Sequence, residues 1–297
     1  MSICGKVIKT TELTYGTCAS ADILGSFKKN NSIYLCHNPN SYNLVSFNYD
    51  SNYCLNTNAN YYNITTQDIT NCTNDQDTTI GLIGDSWSLI KFNLPTNTFD
   101  YIYVNGNTNP SLKDYIVKTI RCKLTICNDI SENYTLSAIL YDLNQIHFIV
   151  QFKDNLKQNF IFMVKASYDS KTCKLSNNFT VTGLYNLYKY AKAQGLITCE
   201  ALGLNLTDIT FNNKINKLFL ITSLSNKSLI WWIPYFDCMN SMFGSSFNIF
   251  KLDQSLTKKF VGISFMDDSH IFITTNNLND TCVSSNYKIE YKVLLIE

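Results

Sequence analysis

LTDITFNNKINKLFLITSLSNKSLIWWIPYF (Leu206–Phe236) holds three apolar runs separated by two short polar turns. The runs carry Ile, Phe, Trp, Leu and Thr, which pack well on a pleated surface, and the turns carry Asn, Lys and Ser. That is the grammar of an antiparallel meander. It recurs along the chain. A small residue or Asp followed by Ile opens a first strand at Asp22-Ile23-Leu24, Asp68-Ile69-Thr70, Ala138-Ile139-Leu140, Asp208-Ile209-Thr210 and Gly262-Ile263-Ser264. A more apolar second run follows at Ser32–Cys36, Thr78–Ile83, Gln145–Val150, Lys217–Thr222 and His270–Thr275. The third pattern is LVSFNYDSNYC (Leu44–Cys54), LIKFNLPTNTF (Leu89–Phe99), MVKASYDSKTC (Met163–Cys173) and WWIPYFDC (Trp231–Cys238). This alignment makes Leu44, Leu89, Met163 and Trp231 equivalent. Outer fourth strands are offered by DYIYVNG (Asp100–Gly106), FTVTGL (Phe179–Leu184) and FNIFKL (Phe247–Leu252).

Four-stranded antiparallel units repeated radially make a β-propeller, in which each unit buries its faces on its neighbours. The sequence therefore reads as all-β: a five-bladed β-propeller forming one domain over residues 1–297. A six-bladed propeller is the second choice, because residues 101–130, with DYIVKTIRCKLTIC (Asp114–Cys127), leave room for a degenerate unit. A β-sandwich explains the strands but not the order of the patterns. Helical spacing is convincing only in an insertion near 184–197, with Leu184, Leu187, Tyr188 and Ala191 on one face. The last unit ends with YKIEYKVLLIE (Tyr287–Glu297) and lacks an outer strand, while GKVIKTTELTYG (Gly5–Gly16) is a strand without a unit. Joining the two would close the ring and remove its open edges. The resemblance is to the propeller architecture and not to one family.

Charged residues make up 16% of the chain and the net charge is +1. Such a balance gives no field to attract nucleic acid or an anionic membrane. No apolar stretch approaches the roughly 20 residues of a membrane helix, so no integral membrane segment is expected in these residues, and no signal peptide is visible at the start. Eight N-x-S/T sequons occur, at Asn30, Asn63, Asn71, Asn133, Asn178, Asn205, Asn226 and Asn279. A chain this rich in Asn, Ser and Thr carries about that many by chance, so they permit glycosylation without fixing a compartment. The eleven cysteines are spread along the chain and lack C-x-x-C zinc spacing. Cysteines at strand ends suit disulfides in an oxidising compartment. Cys18, Cys36, Cys54, Cys72, Cys122, Cys127, Cys173, Cys199, Cys238 and Cys282 are the expected disulfide formers, leaving Cys4 unpaired.

Three aspartates, Asp22, Asp68 and Asp208, open equivalent first strands in this alignment. First strands are innermost in a propeller, so the carboxylates are candidates for a calcium site at a solvated central channel. Ala138 and Gly262 interrupt that ring, and an Asp before a strand also serves simply to cap a turn. His37, His147 and His270 lack metal-ligand spacing, and His147 sits inside an apolar run. No nucleophile elbow, phosphate loop or dinucleotide fingerprint is present. Trp231, Trp232 and Tyr235, with Tyr188 on the helical insertion, form a candidate aromatic platform for sugar or peptide. Packing in a sheet sandwiched on both faces is the simpler reading of Trp231 and Trp232. The function expected is a secreted or cell-surface module binding a protein or glycan partner through propeller loops. The alternatives are a secreted metal-dependent hydrolase using channel carboxylates and an intracellular scaffold.

Overall fold

The computed structural model describes residues 3–16, 22–37, 42–75, 78–84, 86–124, 134–153, 158–196, 202–224, 227–234, 247–276 and 286–297. Its strands pair into five antiparallel units. The first is β2 (Ile23–Lys29), β3 (Ser32–His37), β4 (Leu44–Tyr49) and β5 (Leu55–Tyr62). The second is β6 (Ile69–Asp75), β7 (Thr78–Ile83), β8 (Ser88–Asn93) and β9 (Thr98–Val104). The third is β10 (Tyr134–Asp142), β11 (Gln145–Lys153), β12 (Asn159–Asp169) and β14 (Thr180–Asn186). The fourth is β15 (Asn205–Asn212), β16 (Lys217–Ser223), β17 (Ser228–Pro234) and β18 (Asn248–Ile249). The fifth is β20 (Phe260–Phe265), β21 (His270–Thr275), β22 (Tyr287–Ile296) and, from the other end of the chain, β1 (Cys4–Tyr15).

Closure follows the expected route, with β1 running antiparallel to β22 from Gly5↔Ile296 to Tyr15↔Tyr287. Two-residue strands tie neighbouring units at their rims: β13 (Lys174–Leu175) pairs antiparallel with β12 and parallel with β9, and β19 (Lys251–Leu252) pairs parallel with β1. The first strands β2, β6, β10, β15 and β20 pack on one another in that order, and β20 packs back on β2. They are the inner wall of a closed β-propeller. A two-layer sandwich cannot place five first strands in a ring.

The core divides into five apolar layers, one between each successive pair of units. Strand alternation supplies both faces of a unit at once. In β17, Trp231 and Ile233 face the third unit while Ile230 and Trp232 face the fifth. Asparagine does much of the turn work. Asn30, Asn97, Asn144 and Asn216 all take positive φ, a region that Asn tolerates better than most residues.

Two expectations change here. Of residues 101–130, where room for a sixth unit was expected, 101–124 hold the end of β9 and then a helix, α1 (Lys113–Leu124), and 125–130 lie outside the described residues. Ile116 and Ile120, one turn apart, are buried with Leu112 in the layer between the second and third units. The helical insertion near 184–197 is shorter than expected. Leu184 belongs to β14, and the helix α2 is Leu187–Ala193, capped by the Asn186 side chain accepting from the Lys189 amide.

Candidate functional site

All five inner strands break register at one place. The pairs Ile23↔His37 then Gly25↔Cys36, Ile69↔Ile83 then Asn71↔Leu82, and Leu136↔Val150 then Ala138↔Ile149 each set two residues against one. Leu206↔Thr222 then Asp208↔Ile221, and Phe260↔Thr275 then Gly262↔Thr274, repeat the step. These are β-bulges, which re-aim one side chain and bend the strand. They correct the sequence alignment. Gly25, Asn71, Ala138, Asp208 and Gly262 are the equivalent residues, so Asp22 and Asp68 lie three positions upstream of the level of Asp208. Following the pairing outward, Leu44, Leu89 and Met163 are equivalent, and the fourth unit contributes Ile230, not Trp231. A slip of one residue puts Trp231 on the opposite face of its sheet.

At that level the axis is plugged by a buried polar pair. Asp208 Oδ2 accepts from the amides of Ser26 and Ile263, both 2.9 Å away. Its Oδ1 accepts from the Ile209 amide (2.9 Å) and from Asn71 Nδ2 (3.0 Å), while Asn71 Oδ1 accepts from the Ile139 amide (3.1 Å). Two side chains thus gather all five inner strands. The physical need is plain, because an inner strand has no neighbour on its axial edge and its amides there require acceptors. Glycine makes the room: a Cβ on Gly25 would stand 2.8 Å from Asn71 Nδ2. Asp208, expected to face solvent, is fully buried, and burial pushes its carboxyl up to about 7 against the pull of its four donors.

The plug leaves a recess at each end of the axis. The larger, about 1090 Å³, opens at the N-terminal ends of the inner strands and is lined by the five bulged residues Leu24, Thr70, Ser137, Thr207 and Val261. Asp22, Lys153 and Lys259 stand at its edge, with Asn205 and Trp87. Three amides at its wall are occupied by side chains. Ile23 N donates to Asn276 Oδ1 (2.8 Å), Leu206 N to Gln151 Oε1 (3.0 Å) and Phe260 N to Ser228 Oγ (2.8 Å). The opposite recess is about 240 Å³ and is lined by Ser26, Thr73, Thr210 and Ser264 among others.

The aspartates expected to converge do not form one site. Asp22 and Asp68 are exposed, and Asp22 Oδ1 accepts from Asn276 Nδ2. Among the described residues no group of three or more His, Cys, Asp or Glu is placed to hold a metal ion. Trp231 and Trp232 are core residues. Trp231 donates to Thr222 Oγ1 (2.8 Å) and stacks on Phe247, and the Lys217 ammonium lies 3.8 Å from the ring centre of Trp232. Tyr188 is half-buried on α2 with Lys192 beside its ring, and Tyr235 lies outside the described residues.

Of the expected disulfides, Cys36–Cys72 forms and links the first unit to the inner strand of the second. Cys54, Cys122 and Cys173 are free, as is Cys4. Cys54 and Cys173 occupy equivalent outer turns of the first and third units, which are not neighbours, and the Lys9 ammonium lies 2.6 Å from Cys54 Sγ. Cys18, Cys127, Cys199, Cys238 and Cys282 lie outside the described residues, as do the sequons at Asn133, Asn226 and Asn279. Asn30, Asn63, Asn178 and Asn205 are exposed, but Asn71 is fully buried in the plug, where no glycan fits.

His37 and His147 are fully buried, and burial pushes them down to about 3 and about 4, leaving both neutral at pH 7. His37 Nε2 lies 3.0 Å from the Tyr15 hydroxyl. His270 Nδ1 pairs with Asp267 (2.9 Å), whose other oxygen accepts from the Tyr53 hydroxyl, and the Tyr53 ring stacks on the imidazole. This cluster ties the turn between β20 and β21 to the first unit.

No family model and no curated protein matches the chain. Among solved structures, a chain of the nidogen/laminin complex aligns with 85% of this chain and 72% of its own length at 8% identity and TM-score 0.43. The β-propeller domain of Nup133 from Vanderwaltozyma polyspora aligns over 94% and 71% at 10% identity and TM-score 0.44. That of Cps50 (Swd1) from Myceliophteria thermophila aligns over 97% and 100% at 8% identity and TM-score 0.41.

Proposed function

We propose that this protein is a binding module, secreted or displayed at a cell surface, which receives its ligand in the larger axial recess. The observation that carries the reading is the ring of bulged residues. Five strands each bring one bulged residue to the lining of a single cavity, one step along each strand from the level of the Asp208–Asn71 plug. Its volume lies just above the roughly 300–1,000 Å³ typical of ligand pockets. The buried Cys36–Cys72 bridge and the exposed sequons fit passage through an oxidising compartment.

Ser137→Trp tests the site, since it places a large ring in the cavity without touching the plug. Labelled protein is incubated with arrays of glycans and extracellular proteins, and circular dichroism verifies the fold of the variant. Loss of the wild-type signal in the folded variant supports the recess as the site. A partner held equally well by both proteins refutes it.

A further inference from the structure

The linings of the recess narrow the ligand class. Resting on the binding reading above, we propose that the ligand is an acidic oligosaccharide, a sugar chain bearing carboxylate or sulfate groups. Lys153, at the end of β11, and Lys259, just before β20, both line the cavity, both are exposed, and neither has an acidic partner among the described residues. Lys258, the immediate neighbour of Lys259, is by contrast paired with Glu290. The one carboxylate in the lining, Asp22, already accepts from Asn276. The edge thus offers two ammonium groups seeking anions.

Deeper in, the surface changes to hydroxyls. Thr70 and Thr207 donate to the carbonyls of Leu82 and Ile221, and Ser137 accepts from Gln151 Nε2. The threonine oxygens keep lone pairs free to accept from sugar hydroxyls. Leu24, Leu136 and Val261 supply apolar patches for the C–H faces of a ring. A peptide is disfavoured by the same walls. Extended peptides bind by pairing with open backbone edges, and the amides of Ile23, Leu206 and Phe260 are occupied by Asn276, Gln151 and Ser228.

The test is titration calorimetry of the intact protein with three tetrasaccharides of equal length: one of uronic acids, one sulfated and one neutral. The acidic chains are expected to bind, and to bind more weakly as salt is raised. The neutral chain should bind at least about tenfold more weakly, and Lys153→Gln and Lys259→Gln should each cost about tenfold, the worth of one charged hydrogen bond. Ser137→Trp separates the two readings. Binding that is lost in Ser137→Trp yet equal for neutral and acidic chains, or unchanged in both lysine variants, overturns the acidic-ligand inference and leaves the recess as the site. Acidic chains held equally by wild type and Ser137→Trp overturn both. Failure of every tetrasaccharide to bind, or capture of an unmodified peptide in the recess, overturns the sugar class.

Discussion

Asp208→Asn should change the pH dependence of stability more than stability itself. In the folded protein the carboxyl titrates near 7, against an ordinary value of 3.8. Below about pH 3 the acid is protonated in both states and its burial adds no pH-dependent cost. As pH rises the unfolded chain ionises first, so the folded state loses stability progressively until the pH passes 7. At about 1.4 kcal/mol per pH unit, the loss amounts to about 4 kcal/mol, about 3 of it between pH 5 and 8. His37 and His147 act in the opposite sense. Their depressed values add stability as pH rises from between 3 and 4 towards 6.5, because the unfolded chain binds protons that the folded one refuses.

Those histidine terms are common to wild type and variant and cancel in the difference. An asparagine matches the protonated acid in shape, but its NH₂ faces donors that the carboxylate accepted, costing about 1–3 kcal/mol at every pH. The variant should therefore be the less stable protein at about pH 3 and gain about 3 kcal/mol on wild type between pH 5 and 8. Urea unfolding followed by tryptophan fluorescence at each pH, with linear extrapolation, measures the difference. A difference that stays constant across pH 5–8 refutes the reasoning, and would mean that the four donors hold Asp208 ionised throughout. Asp208→Ala makes the contrast. It orphans three amides and the Asn71 side chain, each at about 1–3 kcal/mol, and should lose at least about 4 kcal/mol.

Gly25→Ala places a methyl 2.8 Å from Asn71 Nδ2 and should destabilise by about 1–3 kcal/mol in chemical denaturation; a neutral result would show that the plug can shift. Thiol titration of the unfolded, unreduced protein should find at least the thiols of Cys4, Cys54, Cys122 and Cys173, whereas Cys36→Ser should cost about 4 kcal/mol, the loop-closure value for a bridge of sequence separation 36. Peptide mapping after expression in a secretory host should find Asn71 unmodified whatever the occupancy of Asn30, Asn63 and Asn178; a glycan on Asn71 would contradict its burial. Removal of residues 1–15 should expose the edge of β22 and the layer holding Leu13 and Tyr15, and the product should aggregate during purification under conditions where the intact chain stays soluble.

The strands, their order and the closing partnership of the two chain ends were legible in the residues themselves. Period-two alternation and turn chemistry are local properties, and a run such as Trp231–Ile233 announces a sheet buried on both faces without reference to any neighbour. The helix α1 was not legible. Ile116, Val117, Thr119 and Ile120 are β-branched and favour a strand by propensity, and only burial of the Ile116–Ile120 face against the second and third units makes them helical. Pairing was equally hidden. Cysteine spacing cannot report distance, so Cys54 and Cys173 looked like Cys36 and Cys72. The axial site was the least visible part. An Asp-Ile or small-Ile pair occurs both before and after the bulge, and which residue faces the axis is fixed by the partner strand, two residues against one. Asp22, Asp68 and Asp208 therefore read alike in sequence. The tertiary structure alone puts two of them at the surface and gives the third four donors in the centre of the ring.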